Sequence, residues 1–260
     1  MLTDLHTHIL PGLDDGAADL AEAIAMAQAA AADGIVRLAA TPHNLRLPSD
    51  AGRAELEAQA ARLQEHLAAR GIPLQVVAGA ETALIPALPQ QIDAGQVITL
   101  NRSRYLLVEL PYMGLPARLE EIIFQVQVRG LVPILAHPER NADLLRRPER
   151  LRALVERGML VQVTAASLEG RFGRPAQRFA RRLLAENLAH AIASDAHGPT
   201  DRPPRLAKAR ELAAEIVGPE RATALVATTP AAILDDRPVE VEPPTPPRRR
   251  WWLAAIQMIR

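Results

Sequence analysis

Seven short apolar runs alternate along this chain with longer stretches of helical period, and that alternation restricts the fold more than any other feature. The runs fall at 3–7, 36–41, 74–78, 105–109, 132–136, 160–164 and 189–194, and they read as buried strands. The stretches between them, 18–32, 51–70, 116–129, 148–157, 174–186 and 204–216, read as helices. Several of them stop at Gly34, Gly71, Gly130 or Gly158, as helix-ending chemistry predicts. Repeated strand–helix units predict an α/β protein with a parallel sheet, and 260 residues suit a single barrel domain. Aromatic residues are only 3% of the chain, so the core has to be packed with Leu, Val, Ile and Ala.

Composition then removes whole classes of function. Thirty basic and thirty acidic residues leave no global field to draw the chain onto nucleic acid, so any anion recognition is local. With no cysteine there is no disulfide, no thiolate metal site and no cysteine nucleophile. Asp4, His6 and His8 break up the first ten residues, so a signal peptide cannot be drawn and a cytoplasmic location is expected. No run of about 18 apolar residues exists to span a bilayer. After Leu234 the chain turns rich in proline and acid and ends in Arg248-Arg249-Arg250-Trp251-Trp252 and an apolar segment. We therefore expect one domain over 1–234, followed by a linker and tail over 235–260. A basic, aromatic tail can touch an anionic membrane surface at the inner face, while a disordered or self-packing terminus is the plainer reading.

Five of the seven histidines, His6, His8, His43, His137 and His197, fall at or just after strand ends. In a parallel barrel those ends converge on one face and supply the catalytic groups. His6 and His8 lie two residues apart, so an extended strand points both imidazoles to the same side. His66 and His190 read as solvated or structural. Carboxylates recur at equivalent places: Asp14, Asp15, Glu81, Glu109 and Asp195. A salt bridge or helix cap explains any one of them, and Asp15 stands where it could cap the following helix. An ionised Glu109 within Leu107-Val108-Glu109-Leu110 is costly to bury unless it is paired or bound to metal. Such a nitrogen and oxygen set without sulfur suits Mn, Fe or Zn more than Ca or Mg alone, and clustered divalent ions suit phosphoryl transfer. Arg140 and Arg202 share the ligand-bearing loops and offer planar forks to phosphate oxygens, with a solvated surface charge as the competing reading.

The run Asp4-Leu5-His6-Thr7-His8-Ile9-Leu10-Pro11-Gly12-Leu13-Asp14-Asp15-Gly16 resembles the opening motif of the polymerase and histidinol phosphatase (PHP) superfamily. More narrowly it resembles the bacterial protein-tyrosine phosphatases of capsule and exopolysaccharide gene clusters. Matches continue at Thr41-Pro42-His43, Gly79-Ala80-Glu81, Val108-Glu109-Leu110-Pro111, His137-Pro138-Glu139-Arg140, Gln162-Val163-Thr164 and Ser194-Asp195-Ala196-His197. The resemblance implies a distorted (β/α)7 TIM-like barrel and three divalent metal ions, Mn first and Fe, Zn or Mg as alternatives. One ion is expected on His6, His8, Glu81 and Asp195, a second on Glu81, Glu109 and His137, and a third on Asp15, His43 and His197. Arg140 and Arg202 are expected to bind the phosphoryl group. Many relatives carry a histidine where this chain has Asn44. The implied activity is hydrolysis of phosphotyrosine on a tyrosine autokinase that regulates polysaccharide synthesis and export. A small-molecule phosphatase, for instance one acting on histidinol phosphate, is the alternative enzyme. A binding protein with closed structural metal is the alternative outside enzymes. Nothing in the sequence fixes an oligomeric state.

Overall fold

A computed structural model describes residues 1–43, 52–111 and 113–246. Asn44 and the arginine–tryptophan segment 248–252 lie outside the described residues.

Every strand pair is parallel, as the alternation predicted. Strands β1 (Leu2–Thr7), β2 (Ile35–Ala40) and β3 (Gln75–Ala78) form one sheet in that order. Strands β4 (Thr82–Ala83), β5 (Tyr105–Glu109), β6 (Val132–Ala136), β7 (Leu160–Thr164) and β8 (Ala191–Ala193) form a second. Seven strands were expected and eight are described, because the third is broken. Its first part, β3, pairs with β2, and its second, β4, pairs with β5, so the two fill one position in the ring. Between them Glu81 meets His43 in an isolated bridge, which takes its side chain out of the ladder pattern at the strand end.

The ring closes on its other side without a continuous ladder. The last strand, expected over 189–194, is only three residues long. The Ser194 N–H donates to the buried carboxylate of Asp4 at 3.0 Å, and Asp195 then adopts a left-handed backbone with φ 52°. Closure rests on two backbone bonds at the end of β1: Asp195 N to His6 O at 2.8 Å and His8 N to Ala196 O at 2.8 Å. This seam is the distortion in the barrel, and it sets the residues flanking β8 directly against His6 and His8.

The helices pack outside. The predicted ones appear as α1 (Leu20–Ala32), α2 (Gly52–Ala68), α4 (Leu119–Val128), α6 (Pro148–Val155), α8 (Gly173–Ala185) and α9 (Ala207–Val217). Asp19 caps α1 by accepting from the Glu22 N–H at 2.9 Å, so Asp15 is not its cap. Short helices went unread in the sequence: α3 (Leu88–Asp93), α5 (Ala142–Arg146), α7 (Ala165–Leu168), α10 (Pro219–Thr223) and α11 (Thr229–Leu234). Each spans under two turns, too few residues for a 3.6-residue period to register.

The main core lies between strands and helices, with Leu38, Leu106, Leu135 and Val161 among its buried members. A second cluster holds Tyr105, Leu107, Ile134 and Leu160. Side chains two apart on a strand share a face, so Glu109 and Gln162 follow Leu107 and Leu160 on the same side, one layer nearer the strand C-termini. The apolar layer thereby gives way to a polar one at that end.

Past Leu234 the chain runs along the opposite end. Asp236 pairs with Arg104 at 2.9 Å, the Tyr105 hydroxyl donates to Arg237 O at 2.8 Å, and Thr245 N donates to Glu186 O at 3.0 Å. His190 is buried in this region and its Nδ1 accepts the Val161 N–H at 3.0 Å. Burial, helped by the nearby Arg221 charge, pushes it from the ordinary 6.5 down to about 4. Below pH 6.5 the unfolded chain takes up a proton that the folded chain refuses, so stability falls as the pH drops toward 4. The full loss corresponds to about 3 kcal/mol. In urea unfolding across pH 4–7, His190→Asn, whose amide oxygen can replace Nδ1, should lose that part of the slope. An unchanged slope would rule this out.

Candidate metal centre

Most strand C-termini deliver polar groups to the same small volume. β1 supplies His6 and, one residue past its end, His8; both are fully buried. The loop after β2 supplies His43, the break between β3 and β4 supplies Glu81, and β5 ends on Glu109. After β6, His137 takes a left-handed backbone with φ 33°, as Asp195 does after β8. Non-glycine residues pay strain to sit there and concentrate at functional sites. In both cases the turn aims the side chain back over the barrel mouth.

Glu81 is the hub. Its Oε1 lies 2.8 Å from His137 Nε2. Its Oε2 lies 3.2 Å from His6 Nε2, 3.2 Å from His43 Nδ1 and 3.6 Å from His8 Nε2. His6 Nε2 and His8 Nε2 face one another at 3.2 Å, and both lie within 3.6 Å of Asp195 Oδ1. Toward solvent, His43 meets Glu109 at 3.0 Å and Asp15 at 3.5 Å, and His197 meets Asp15 at 3.8 Å. All nine residues expected to bind metal are thus gathered at one mouth.

Four sets bring single donor atoms within 4.8 Å of one another: His6, His8 and Glu81; His6, His137 and Asp195; His43, Glu81 and Glu109; and His8, Asp15, His43 and His197. The first holds His6, His8 and Glu81 of one expected ion site without Asp195, and the last holds Asp15, His43 and His197 of another together with His8. Of the remaining expected site, Glu81 and Glu109 fall together with His43, and His137 lies 2.8 Å from Glu81 Oε1 while also falling with His6 and Asp195.

Whether this set fits divalent cations can be judged from its hydrogen bonding. Buried Oε2 of Glu81 and Nδ1 of His43 make no hydrogen bond, although they are ringed by polar atoms at 3.0–3.6 Å. Buried polar atoms are nearly always satisfied, and lone pairs that converge without bonding are the pattern that a cation completes. The donor set fits.

Without a cation, the imidazoles balance the charge of the carboxylates. Burial pushes Glu81 up, but His6 and His137 outweigh it and hold its carboxyl well below the usual range. Asp195 is likewise held low, against burial, chiefly by His6 and a hydrogen bond from His8. Burial disfavours charged His8, yet hydrogen bonds to Asp14 and Asp195 lift it to about 10. Burial and the His8 charge depress His197 to about 4.

Sequence reasoning missed the groups that orient the ligands. Asp14, noted beside Asp15 but given no role, binds His8 Nδ1 at 2.7 Å and accepts from the His43 N–H at 2.9 Å. Gln162 Oε1 lies 3.0 Å from His6 Nδ1, and its position in the apolar run Leu160-Val161-Gln162-Val163 was the available signal. Buried Glu139 accepts the Thr164 N–H at 2.9 Å and so ties the His137–Arg140 turn to β7. Partners of this kind are worth about 10–100-fold in metal affinity or activity, so Gln162→Leu should weaken Mn binding by about that factor in a titration. Unchanged affinity would make Gln162 a packing residue only.

Arg140 and Arg202 both donate to Asp195 Oδ2, each at 2.5 Å. Their guanidinium carbons stand 4.6 and 5.6 Å from the Phe172 ring centre, a contact the sequence did not announce. Cation–π contact of this sort holds a planar cation in place. Two guanidinium forks therefore stand against the cluster through Asp195.

Residues 2–235 match the family model described as capsular polysaccharide synthesis, CpsB/CapC. This chain belongs to that family. Among relatives of the CpsB/CapC family, it is 35% identical over 249 residues to the tyrosine-protein phosphatase YwqE of Bacillus subtilis, covering 96% of this chain and 98% of YwqE. It is 26% identical over 238 residues to the tyrosine-protein phosphatase CpsB of Streptococcus agalactiae, covering 90% and 98%. A solved structure reported with those of YwqE from B. subtilis and CpsB from Streptococcus pneumoniae, which are described as metal-dependent tyrosine phosphatases, superposes with a TM-score of 0.88. It shares 35% identity and covers 95% of this chain and 100% of that one. At the level of fold alone, an N-isopropylammelide isopropylaminohydrolase from Burkholderia multivorans aligns with a TM-score of 0.53 at 15% identity. The CpsB/CapC fold of this chain is thus the PHP-type, TIM-like barrel expected from the sequence. Among the described residues no helix is long and apolar enough to cross a membrane.

Proposed function

We propose that this chain is a metal-dependent protein-tyrosine phosphatase that hydrolyses phosphotyrosine on a tyrosine autokinase controlling polysaccharide synthesis and export. The observation that carries the reading is the convergence of His6, His8, His43 and His137 on the two oxygens of Glu81, one of them buried without a hydrogen bond. Three divalent ions, Mn first among them, are held by His6, His8, Asp15, His43, Glu81, Glu109, His137, Asp195 and His197. Bound ions of this kind lower the pKa of a water and neutralise phosphoryl oxygens. Arg140 and Arg202 grip the phosphoryl group, exchanging part of their contact with Asp195 for its oxygens. Phe172 backs both guanidiniums with its ring. Asp14 and Gln162 fix the ring orientation of His8 and His6, so the donor geometry is in place before substrate arrives. The site belongs at the cytoplasmic face, where the autokinase substrate presents its phosphotyrosines.

The test measures hydrolysis of a phosphotyrosine peptide by protein stripped with a chelator and reloaded with Mn. Stripped protein should lose essentially all activity and regain it with the metal; full activity after stripping would refute the reading. Comparison with histidinol phosphate separates the protein phosphatase from the small-molecule alternative. A higher kcat/KM on histidinol phosphate would favour the latter.

A further inference from the structure

The arginines beside the metal centre are not all used by the site described above. Ala165, Ala166, Glu169, Arg171, Ser194, Arg202, Pro203 and Arg205 surround a recess next to Asp195. Only the guanidinium of Arg202 reaches the cluster, through Asp195. Arg171 donates to the backbone carbonyl of Asp201, and neither it nor Arg205 pairs with a carboxylate among the described residues. Some arginines lean on acids, as Arg37 does on Asp235, Arg129 on Asp93 and Arg150 on Glu120, and others bond only a carbonyl, as Arg70 does with His66 O; what sets Arg171 and Arg205 apart is that both line one recess beside the cluster. In a chain of zero net charge, uncompensated guanidiniums gathered at one recess are a local feature with a local use.

Both side chains project from firmly held backbone. Arg171 N donates to Ala166 O at 3.0 Å, closing the turn after α7. Arg205 precedes Leu206 and Ala207, whose N–H groups both donate to Asp33, at 2.6 and 2.8 Å. The recess has a volume of about 50 Å3, and since a water needs roughly 15 Å3 by the same measure, it admits a carboxylate but no second aryl phosphate. With Arg202 already paired to Asp195, Arg171 and Arg205 against Glu169 still leave the wall cationic, and a fork of N–H donors matches a carboxylate.

We propose that Arg171 and Arg205, beside Arg202, receive an acidic side chain flanking the phosphotyrosine, so that the preferred substrate is a phosphotyrosine in an acidic stretch of peptide. This rests on the phosphotyrosine reading above and names the sequence context of that substrate.

Fluorescent phosphotyrosine peptides flanked by glutamate, by alanine or by lysine are compared on the Mn-loaded full chain, by hydrolysis and by binding. Glutamate on the N-terminal and on the C-terminal side are separate arms. The glutamate peptide should show a KM about tenfold below that of the alanine peptide, the worth of one charge-assisted contact, and the advantage should fade with salt. Arg171→Ala with Arg205→Ala should erase the difference and leave kcat/KM on para-nitrophenyl phosphate unchanged, which also reports that the variant is folded. Arg205→Glu should move the preference toward the lysine peptide. Equal KM and equal binding for all three peptides, or a glutamate preference that survives the double substitution, would overturn the proposal. If no peptide is hydrolysed while the glutamate peptide still binds more tightly through Arg171 and Arg205, the phosphatase reading fails and this inference stands.

Discussion

Glu81→Gln should lower kcat/KM on a phosphotyrosine peptide by about 10^3-fold, the scale set by removing one preorganised electrostatic contact from an active site. The change keeps the shape of the side chain and removes its charge. Glu81 is only 1% exposed, and four histidine nitrogens lie within 3.6 Å of its two oxygens. An amide there offers one neutral acceptor, and its NH2 group points a donor at nitrogens that must themselves present lone pairs to a cation. Two readouts go together. Activity falls, and the metal content of the purified protein falls with it. Added Mn should raise the melting temperature of the unsubstituted protein, because a ligand that binds only the folded state at 100 times its Kd stabilises by about 2.7 kcal/mol. The variant should show little of this rise. Wild-type activity in Glu81→Gln would remove the central claim about this site.

Gly16→Ala is expected to cost about 3 kcal/mol of stability and at least about 10^2-fold in activity, as for overpacking against backbone that cannot yield. The Gly16 N–H donates to Asp14 Oδ1 at 3.1 Å, and the adjacent Ala17 N–H donates to His8 O at 3.0 Å, so the loop backbone is held on both sides. A Cβ on Gly16 would overlap the His8 carbonyl oxygen and come within 2.5 Å of the His8 Cβ. Relief requires moving His8 away from Asp14 and from the cluster. Thermal unfolding and Mn titration of the variant check both halves of the expectation. A variant with normal Mn affinity would mean that the loop shifts without carrying His8 along.

The parallel α/β architecture was legible because buried parallel strands must be apolar on both faces and helices must repeat every 3.6 residues. The nine expected ligands were legible for a related reason: a histidine or carboxylate at the end of an apolar run is expensive unless it is used. The match of Asp4 to Gly16 then tied those residues to a family. Partners of the ligands were harder to read, since Asp14 looks like one more loop acid and Glu139 like part of a helical turn.

Residue types and spacing by themselves determined that imidazoles and carboxylates stand at successive strand ends, and hence the fold class and the identity of the candidate ligands. Tertiary structure alone decided which donors share a space. It sets His43 against Glu109 at 3.0 Å, divides the third strand at Glu81, and brings Arg171 and Arg205 to one recess. Those pairings depend on ring closure at the β1–β8 seam and on left-handed turns at His137 and Asp195. Both arise from contacts between residues far apart in the chain, which no local pattern encodes.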